Sequence, residues 1–394
     1  MSTPAQVGRA AAEELAATLR VDAAERDRAA RPPVKEVGLL RGSGLLTLLI
    51  PVELGGGGGA WPDANTVTRI VAGADASVGH LIGYHYLHQW RSELFDRREI
   101  TERLRRQTVR HSWFWAGVSN PLDADLTLTP AGDGFTVDGR KTFATGAMVA
   151  DRLVVSAVRA DSGEKVTFTV DAGARGIGYL DDWDNMGQRL TASGGVVFDN
   201  VAVPAGDVLG VQPDDPLAPG AVRISLAALG FQLILCQIYV GIAEGALAEA
   251  AEYTRRRTRP WTLSGVDSAV ADPYILAGYG ELVAGVRAAR LLADEAAAAL
   301  HAAAERGSEL TAEERGAAAV TISAAKVLST RVVTETTSRI FEFAGARATA
   351  AAFGFDRFWR NARTLTLHDP VAYKAREVGA HFLTGEYPPF TGYS

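Results

Sequence analysis

Beyond Pro219 the chain carries helical punctuation almost to its end, whereas residues 112 to 210 carry the punctuation of strands and turns. This switch constrains the fold most, because β-rich and helical runs bury their apolar faces in different ways and must build separate layers. Leu226 to Arg257 reads as one long helix, and Gly241 and Gly245 in it permit close approach of a neighbour. Pro273 precedes a second helix, in which Ile275, Tyr279, Leu282 and Val286 trace a stripe. Thr311-Ala-Glu-Glu314 has the form of a capping box and opens a third, ending near Gly345. A fourth is expected to begin at Pro370 with Asp369 as its N-cap. Three long helices and a shorter one imply a bundle.

In the middle segment, Phe135–Val137, Leu153–Val158, Val166–Val170 and Val196–Phe198 read as strands, with Asp133-Gly134 and Asp138-Gly139 as turns. Before it the pattern is mainly helical, interrupted at Pro32-Pro33 and between Pro51 and Pro62. The expected domains are therefore residues 1–111 (helical), 112–218 (β) and 219–394 (helical bundle), an α+β organisation.

A chain of 394 residues can bury a large core. Its net charge of −6 argues against a nucleic-acid or anionic-membrane surface. The single cysteine, Cys236, lies in an apolar run, reads as a small buried hydrophobe and fits a reducing cytoplasm. Met1-Ser-Thr-Pro-Ala-Gln6 lacks the pattern of a signal peptide, and the apolar run 45–52 is too short to span a bilayer. Gly55–Gly59 is followed by Ala60-Trp61-Pro62 rather than Gly-Lys-Ser/Thr, so it reads as a flexible turn and not a phosphate loop. No Gly-x-Gly-x-x-Gly opens a helix after a strand. His80, His85 and His88 crowd one helical stretch, but no acidic or cysteine cluster accompanies them, so no metal site is expected. His80 and Tyr84, four apart, share a helix face.

The segment Gly354-Phe-Asp-Arg-Phe-Trp-Arg-Asn-Ala-Arg-Thr-Leu-Thr-Leu-His-Asp-Pro370 holds aromatics, arginines and His368 against the expected helix start. A histidine there faces a partly positive helix terminus, which disfavours the imidazolium and suits stabilisation of developing negative charge. The segment resembles the C-terminal active-site region of the acyl-CoA dehydrogenase superfamily. Arg360-Asn-Ala-Arg363 matches the stretch that precedes the dehydrogenase base, but Leu367-His-Asp-Pro370 stands where the glutamate motif would be. That replacement is similar to the flavin-dependent monooxygenase branch, most closely the dibenzothiophene monooxygenase type. Leu49-Ile-Pro-Val-Glu-Leu-Gly-Gly56, Gly79–His85, Lys141–Gly146, Asp182-Trp183, Arg259-Pro-Trp261 and Asp272-Pro-Tyr274 extend the resemblance over nearly the whole chain.

The resemblance implies a helical N-terminal domain, a β-barrel-like middle domain, a C-terminal four-helix bundle and a homotetramer. It implies a two-component enzyme. A separate NAD(P)H:flavin reductase supplies reduced flavin, FMN rather than FAD, and dioxygen forms a C4a-hydroperoxyflavin that oxygenates a soft heteroatom. A small apolar organosulfur compound is the expected substrate. An amine or hydroxylamine, an FAD-bearing dehydrogenase and a non-catalytic flavin-binding relative are the alternatives. By the resemblance, His368, His80 and Tyr84 are catalytic. Phe143, Thr145 and Trp183 contact the flavin, and Arg259 and Arg347 grip its phosphate from neighbouring subunits. Val118, Ser119 and Asn120 fall at the substrate pocket, where Val118 replaces the relatives' asparagine.

Overall fold

The computed structural model describes residues 3–216, 218 and 220–394; Met1, Ser2, Leu217 and Pro219, the last at the expected domain junction, lie outside the described residues. The N-terminal part comprises α1 (Pro4–Arg20), α2 (Ala23–Ala29), α3 (Val34–Gly42), α4 (Trp61–Ala74), α5 (Ala76–Arg91) and α6 (Arg98–His111). Asp75 ends α4 and caps α5, accepting from Ser77 N (3.0 Å) and Val78 N (3.2 Å), while Arg26 holds its other oxygen at 2.8 Å. Every residue of α5 is buried, so its polar side chains face protein or cavity rather than bulk water.

The glycine run is a turn, but a close-packed one. Gly57, Gly58 and Gly59 donate to the carbonyls of Thr47, Ile50 and Leu48, and a Cβ on Gly56 would fall 2.2 Å from the Ile50 oxygen. The expectation of a flexible turn missed this backbone pairing.

The middle part holds β1 (Trp115–Val118), β2 (Leu126–Ala131), β3 (Gly134–Lys141), β4 (Arg152–Arg159), β5 (Lys165–Asp171), β6 (Ile177–Tyr179), β7 (Val196–Val203) and β8 (Val208–Gln212). They form one mixed sheet in the order β6-β7-β3-β2-β4-β5-β8, with β1 and β2 end to end along β4 and parallel to it. Strands from both halves of this sheet share one apolar core, while β6 and β8 stay as edges, so the expected barrel is an open one. Asp133-Gly134 turns β2 into β3, but Asp138-Gly139 is a bulge within β3 rather than a turn, Gly139 having φ +129° where the register to β7 shifts.

The C-terminal part contains α7 (Ala221–Arg257), α8 (Pro273–Glu305), α9 (Ala312–Ala344), α10 (Asp356–Leu365) and α11 (Val371–Thr384). Thr311 and Glu314 make the capping box of α9, and Gly345 follows its last residue. A Cβ on Gly245 would lie 2.1 Å from the Gly73 carbonyl oxygen, so α4 and α7 touch backbone to backbone. In length and composition α7 could cross a membrane, but 89% of its most apolar window is buried inside the protein, as in a core helix.

The start of α11 corrects the sequence reading. The helix begins at Val371 with Pro370 as cap residue, and the Asp369 side chain makes no capping bond. It turns inward to Lys326 Nζ at 3.1 Å instead. A nearly buried carboxylate gains more from an ammonium than from an amide N–H. Helix α10, within the most distinctive sequence stretch, was not anticipated.

Candidate active site

A cavity of about 1050 Å³ lies where the three parts meet, lined by α5, the sheet and its loops, the first turns of α7, the α10–α11 connection and residues 390–393. That volume is at the upper end of ordinary ligand pockets, so it has room for a planar cofactor and a second small molecule.

The wall supplied by α5 carries His80 and Tyr84, whose rings meet edge to face at 4.2 Å. His80 Nδ1 is 3.2 Å from Gln188 Oε1, while His80 Nε2 and Gln188 Nε2 are buried without partners. Whichever way the amide is turned, the pair presents one free donor and one free acceptor. Burial pulls the His80 pKa down to about 3, the Gln188 bond opposing it, so the ring is neutral near pH 7. Burial and, secondarily, the Asp369 charge push the Tyr84 phenol well above its ordinary value, which keeps its O–H a donor.

Gln188 is a junction. Its N–H donates to Asn361 Oδ1 at 2.5 Å, and its carbonyl accepts from Trp183 Nε1 and Thr191 Oγ1, each at 2.8 Å. Thr191 continues through Ser193 (2.7 Å) to Thr145 (2.8 Å), a chain of buried hydroxyls that ties the Thr145 loop to the His80 partner. Phe143, at φ +55°, stands 65% exposed at the cavity with its ring edge to face with Trp183 at 6.0 Å. A non-glycine residue held in the left-handed region is strained, and here it sets an exposed aromatic ring at the cavity.

His368, half-exposed, also lines the cavity, with Nδ1 3.0 Å from Asp369 Oδ1. The acceptor is a carboxylate, so Nδ1–H donates and Nε2 is left for the cavity. The same Asp369 oxygen receives Lys326 at 3.1 Å and Gln232 Nε2 at 3.3 Å. Burial alone would raise the Asp369 pKa, but the His368 bond and the Lys326 ammonium hold it well below the usual carboxylate range. Asp369, rather than the helix terminus, is therefore the polar neighbour that orients His368.

Ser119 and Asn120 line the cavity, and Asn120 Nδ2 donates to Thr142 Oγ1 at 3.2 Å. Val118 does not. It alternates with Gly117 along β1 and packs into the sheet core, so its replacement of an asparagine takes no polar group from this cavity wall. Gly117 faces the cavity instead, where any Cβ would fall 2.0 Å from the His88 ring. His85 spends both nitrogens on protein, 2.7 Å from the Leu46 carbonyl and 3.0 Å from the Trp115 N–H. Arg259 and Arg347 are exposed and do not line this chain's cavity. A bond from Thr258 Oγ1 to the Ala344 carbonyl (3.1 Å) brings their two segments to one end of the bundle.

No glutamate lines the cavity among the described residues; Glu342 pairs with Arg339, and Glu377 with Lys374 and Ser323. Sequence reasoning missed Gln188, Lys326, Phe231 and Arg91. Lys326 was discoverable as a lone charge in the Ser-Ala-Ala-Lys run, but Gln188 sits in an irregular loop with no pattern to mark it.

The residues present fit a flavin. Exposed aromatic edges, hydroxyls and unpaired buried donors surround an open slot, and no carboxylate stands in the dehydrogenase base motif. Models of the acyl-CoA dehydrogenase middle domain and C-terminal domain match residues 118–201 and 233–373. The chain is 42% identical to dibenzothiophene monooxygenase of Rhodococcus qingshengii over 391 residues, 96% of this chain and 94% of that one. It is 40% identical to the probable FMNH2-dependent monooxygenase SfnC of Pseudomonas putida, over 100% and 99% of the two chains. The crystal structure of FMN-bound TdsC from Paenibacillus sp. A11-2 superposes with a TM-score of 0.92 at 42% identity, covering 98% of this chain and 100% of that one. Methanesulfinate monooxygenase MsuC from Pseudomonas fluorescens superposes at 0.93 with 39% identity, covering 100% of both. Fold and site together define an acyl-CoA dehydrogenase-like flavoenzyme without the dehydrogenase base. The chain belongs to the flavin-dependent monooxygenase branch of the acyl-CoA dehydrogenase superfamily.

Proposed function

We propose that this enzyme uses reduced FMN, delivered by a separate NAD(P)H:flavin reductase, to oxygenate the sulfur of a small organosulfur compound. The observation that carries the reading is the cavity's polar set: His80, Tyr84, Gln188 and His368 offer it hydrogen-bond donors and acceptors, and no glutamate lines it among the described residues. The relatives named for dibenzothiophene and methanesulfinate support sulfur as the oxygenated atom.

Phe143, Thr145 and Trp183 would hold the ring system, and Arg259 and Arg347 would reach the phosphate of a flavin bound by a neighbouring protomer of a homotetramer. Arginine's planar fork suits a phosphate. FMNH2, when bound, supplies the two electrons that let one atom of O2 enter the substrate and the other leave as water. Tyr84 and the His80–Gln188 pair would hold donors and an acceptor at the reacting end, and Tyr84 and Phe231, packed edge to face at 5.2 Å, give it an aromatic wall. His368 would present Nε2 to the cavity as an acceptor that can take up a proton and return it, with Asp369 fixing its ring. Function in the cytoplasm, alongside the reductase, is part of the same proposal.

The test is to mix the purified protein with reduced FMN, air and a sulfide panel. Sulfoxide or sulfone formed in proportion to flavin oxidised supports the reading, and hydrogen peroxide as the sole product contradicts it.

A further inference from the structure

Four polar side chains of α5 line the cavity in one stripe: His80, Tyr84, His88 and Arg91. The proposed reaction uses the first two. Arg91 has no assigned task, although it is the most costly of the four to bury. It is 5% exposed, its Nη1 is sealed from solvent, and its guanidinium makes no hydrogen bond or ion pair among the described residues. Burial draws its pKa down to about 10, which leaves it cationic near pH 7, and no carboxylate contributes an opposing pull. Buried arginines are ordinarily paired, because an uncompensated charge away from water is strongly destabilising.

The surroundings of Arg91 favour an anion. Ala221 and Ser225, in the first turns of α7, line the same cavity and carry the partial positive charge of a helix start. Arg315 donates from Nε to Ser225 Oγ at 2.9 Å, and both its terminal nitrogens lack partners. Phe390 separates Arg315 from the cavity, stacked 4.4 Å from its guanidinium, so Arg315 adds positive potential without reaching a ligand. Asp125, Asp184 and Asp214 also line the cavity, but each is exposed and none is paired with Arg91.

We propose that Arg91 forms an anion subsite, so that the substrate carries an oxyanion group, a carboxylate or sulfonate, at a distance from the sulfur that is oxygenated. The inference rests on the sulfur monooxygenase reading and narrows its substrate class. Tyr84 and Arg91 lie seven positions apart on the helix, about 10 Å of rise, and helical side chains lean toward the N-terminus. An aryl or short alkyl spacer therefore fits between the anion and the sulfur.

The experiment compares 4-(methylthio)benzoate with 4-(methylthio)benzamide, which share sulfur chemistry and differ in charge. Sulfoxide formation is measured with reduced FMN for the unsubstituted enzyme, Arg91→Lys and Arg91→Met. Charge-assisted hydrogen bonds convert to a preference of roughly 10- to 100-fold in kcat/KM for the acid. Arg91→Lys retains a preference, and in Arg91→Met the ratio of acid to amide collapses toward one. A ratio near one in the unsubstituted enzyme overturns the proposal whatever the variants do. So does a preference that survives Arg91→Met. An Arg91→Met protein with weakened FMN binding and an unchanged acid preference would assign this arginine to the flavin phosphate and equally overturn it. Oxygenation of the amide reports the monooxygenase reading separately, so the two can fail independently.

Discussion

Replacing Lys326 by Met tests how the site is held together. Lys326 Nζ touches Asp369 Oδ1 at 3.1 Å and Gln232 Oε1 at 2.8 Å, and the two charged side chains are 1% and 7% exposed. Removing one partner of such a pair leaves a buried charge uncompensated, a loss of about 3–5 kcal/mol. With an unfolding entropy of about 2.1 cal/mol/K per residue, that corresponds to a fall of roughly 4–6 °C in Tm for a chain this long. The pH dependence has a definite sign. In the native protein Asp369 titrates below its unfolded value, so its contribution is present above about pH 4 and is lost as pH falls further. Without the ammonium, burial is opposed by the His368 bond alone, so that pKa moves back toward its unfolded value and the variant has less carboxylate stabilisation to lose in acid. Calorimetry from pH 7 to pH 2 should therefore show the Tm gap between native and variant protein narrowing below about pH 4. A gap that is absent, or constant across that range, would refute the pairing argument.

Other expectations follow from the same geometry. His368→Ala should still bind reduced FMN but lose about 10²–10³-fold in the rate of oxygenation, with flavin oxidation diverted to hydrogen peroxide; product yield per flavin equal to native would make His368 structural. Gly117→Ala should lower stability by about 1–3 kcal/mol and perturb the cavity, because its Cβ meets the His88 ring, and denaturant unfolding with unchanged midpoint would contradict this. Arg347→Met should weaken FMN binding by roughly tenfold or more without changing the circular dichroism spectrum. Light scattering that finds a clean monomer with full FMN affinity would remove the shared-site role of Arg259 and Arg347.

Much of the architecture was legible because its signals are local. The capping box at Thr311, Pro273 at a helix start and the apolar stripe through Leu282 and Val286 each depend on residues within a few turns. Readings failed where a distant group decides the outcome. Asp369 has the composition of a cap, but Lys326, 43 positions earlier, takes its carboxylate. Asp138-Gly139 has the composition of a hairpin turn, but pairing with β7 makes it a bulge. Val118 was assigned to the pocket by position in a motif, and the two-residue alternation of β1 turns it into the sheet core. His80 and Tyr84 are expected at the pocket from the resemblance, and their four-residue spacing puts both on one helix face, whereas Gln188 and Arg91 owe their places to tertiary contacts alone.

The proposed reaction delivers an atom of dioxygen to sulfur in this cavity. Single turnovers with reduced FMN, 18O2 and an aryl methyl sulfide, followed by mass spectrometry of the product, test it most directly. The expected product is a sulfoxide carrying one 18O atom and no oxygen from water. An unlabelled product, or labelled hydrogen peroxide with the sulfide unchanged, would contradict it.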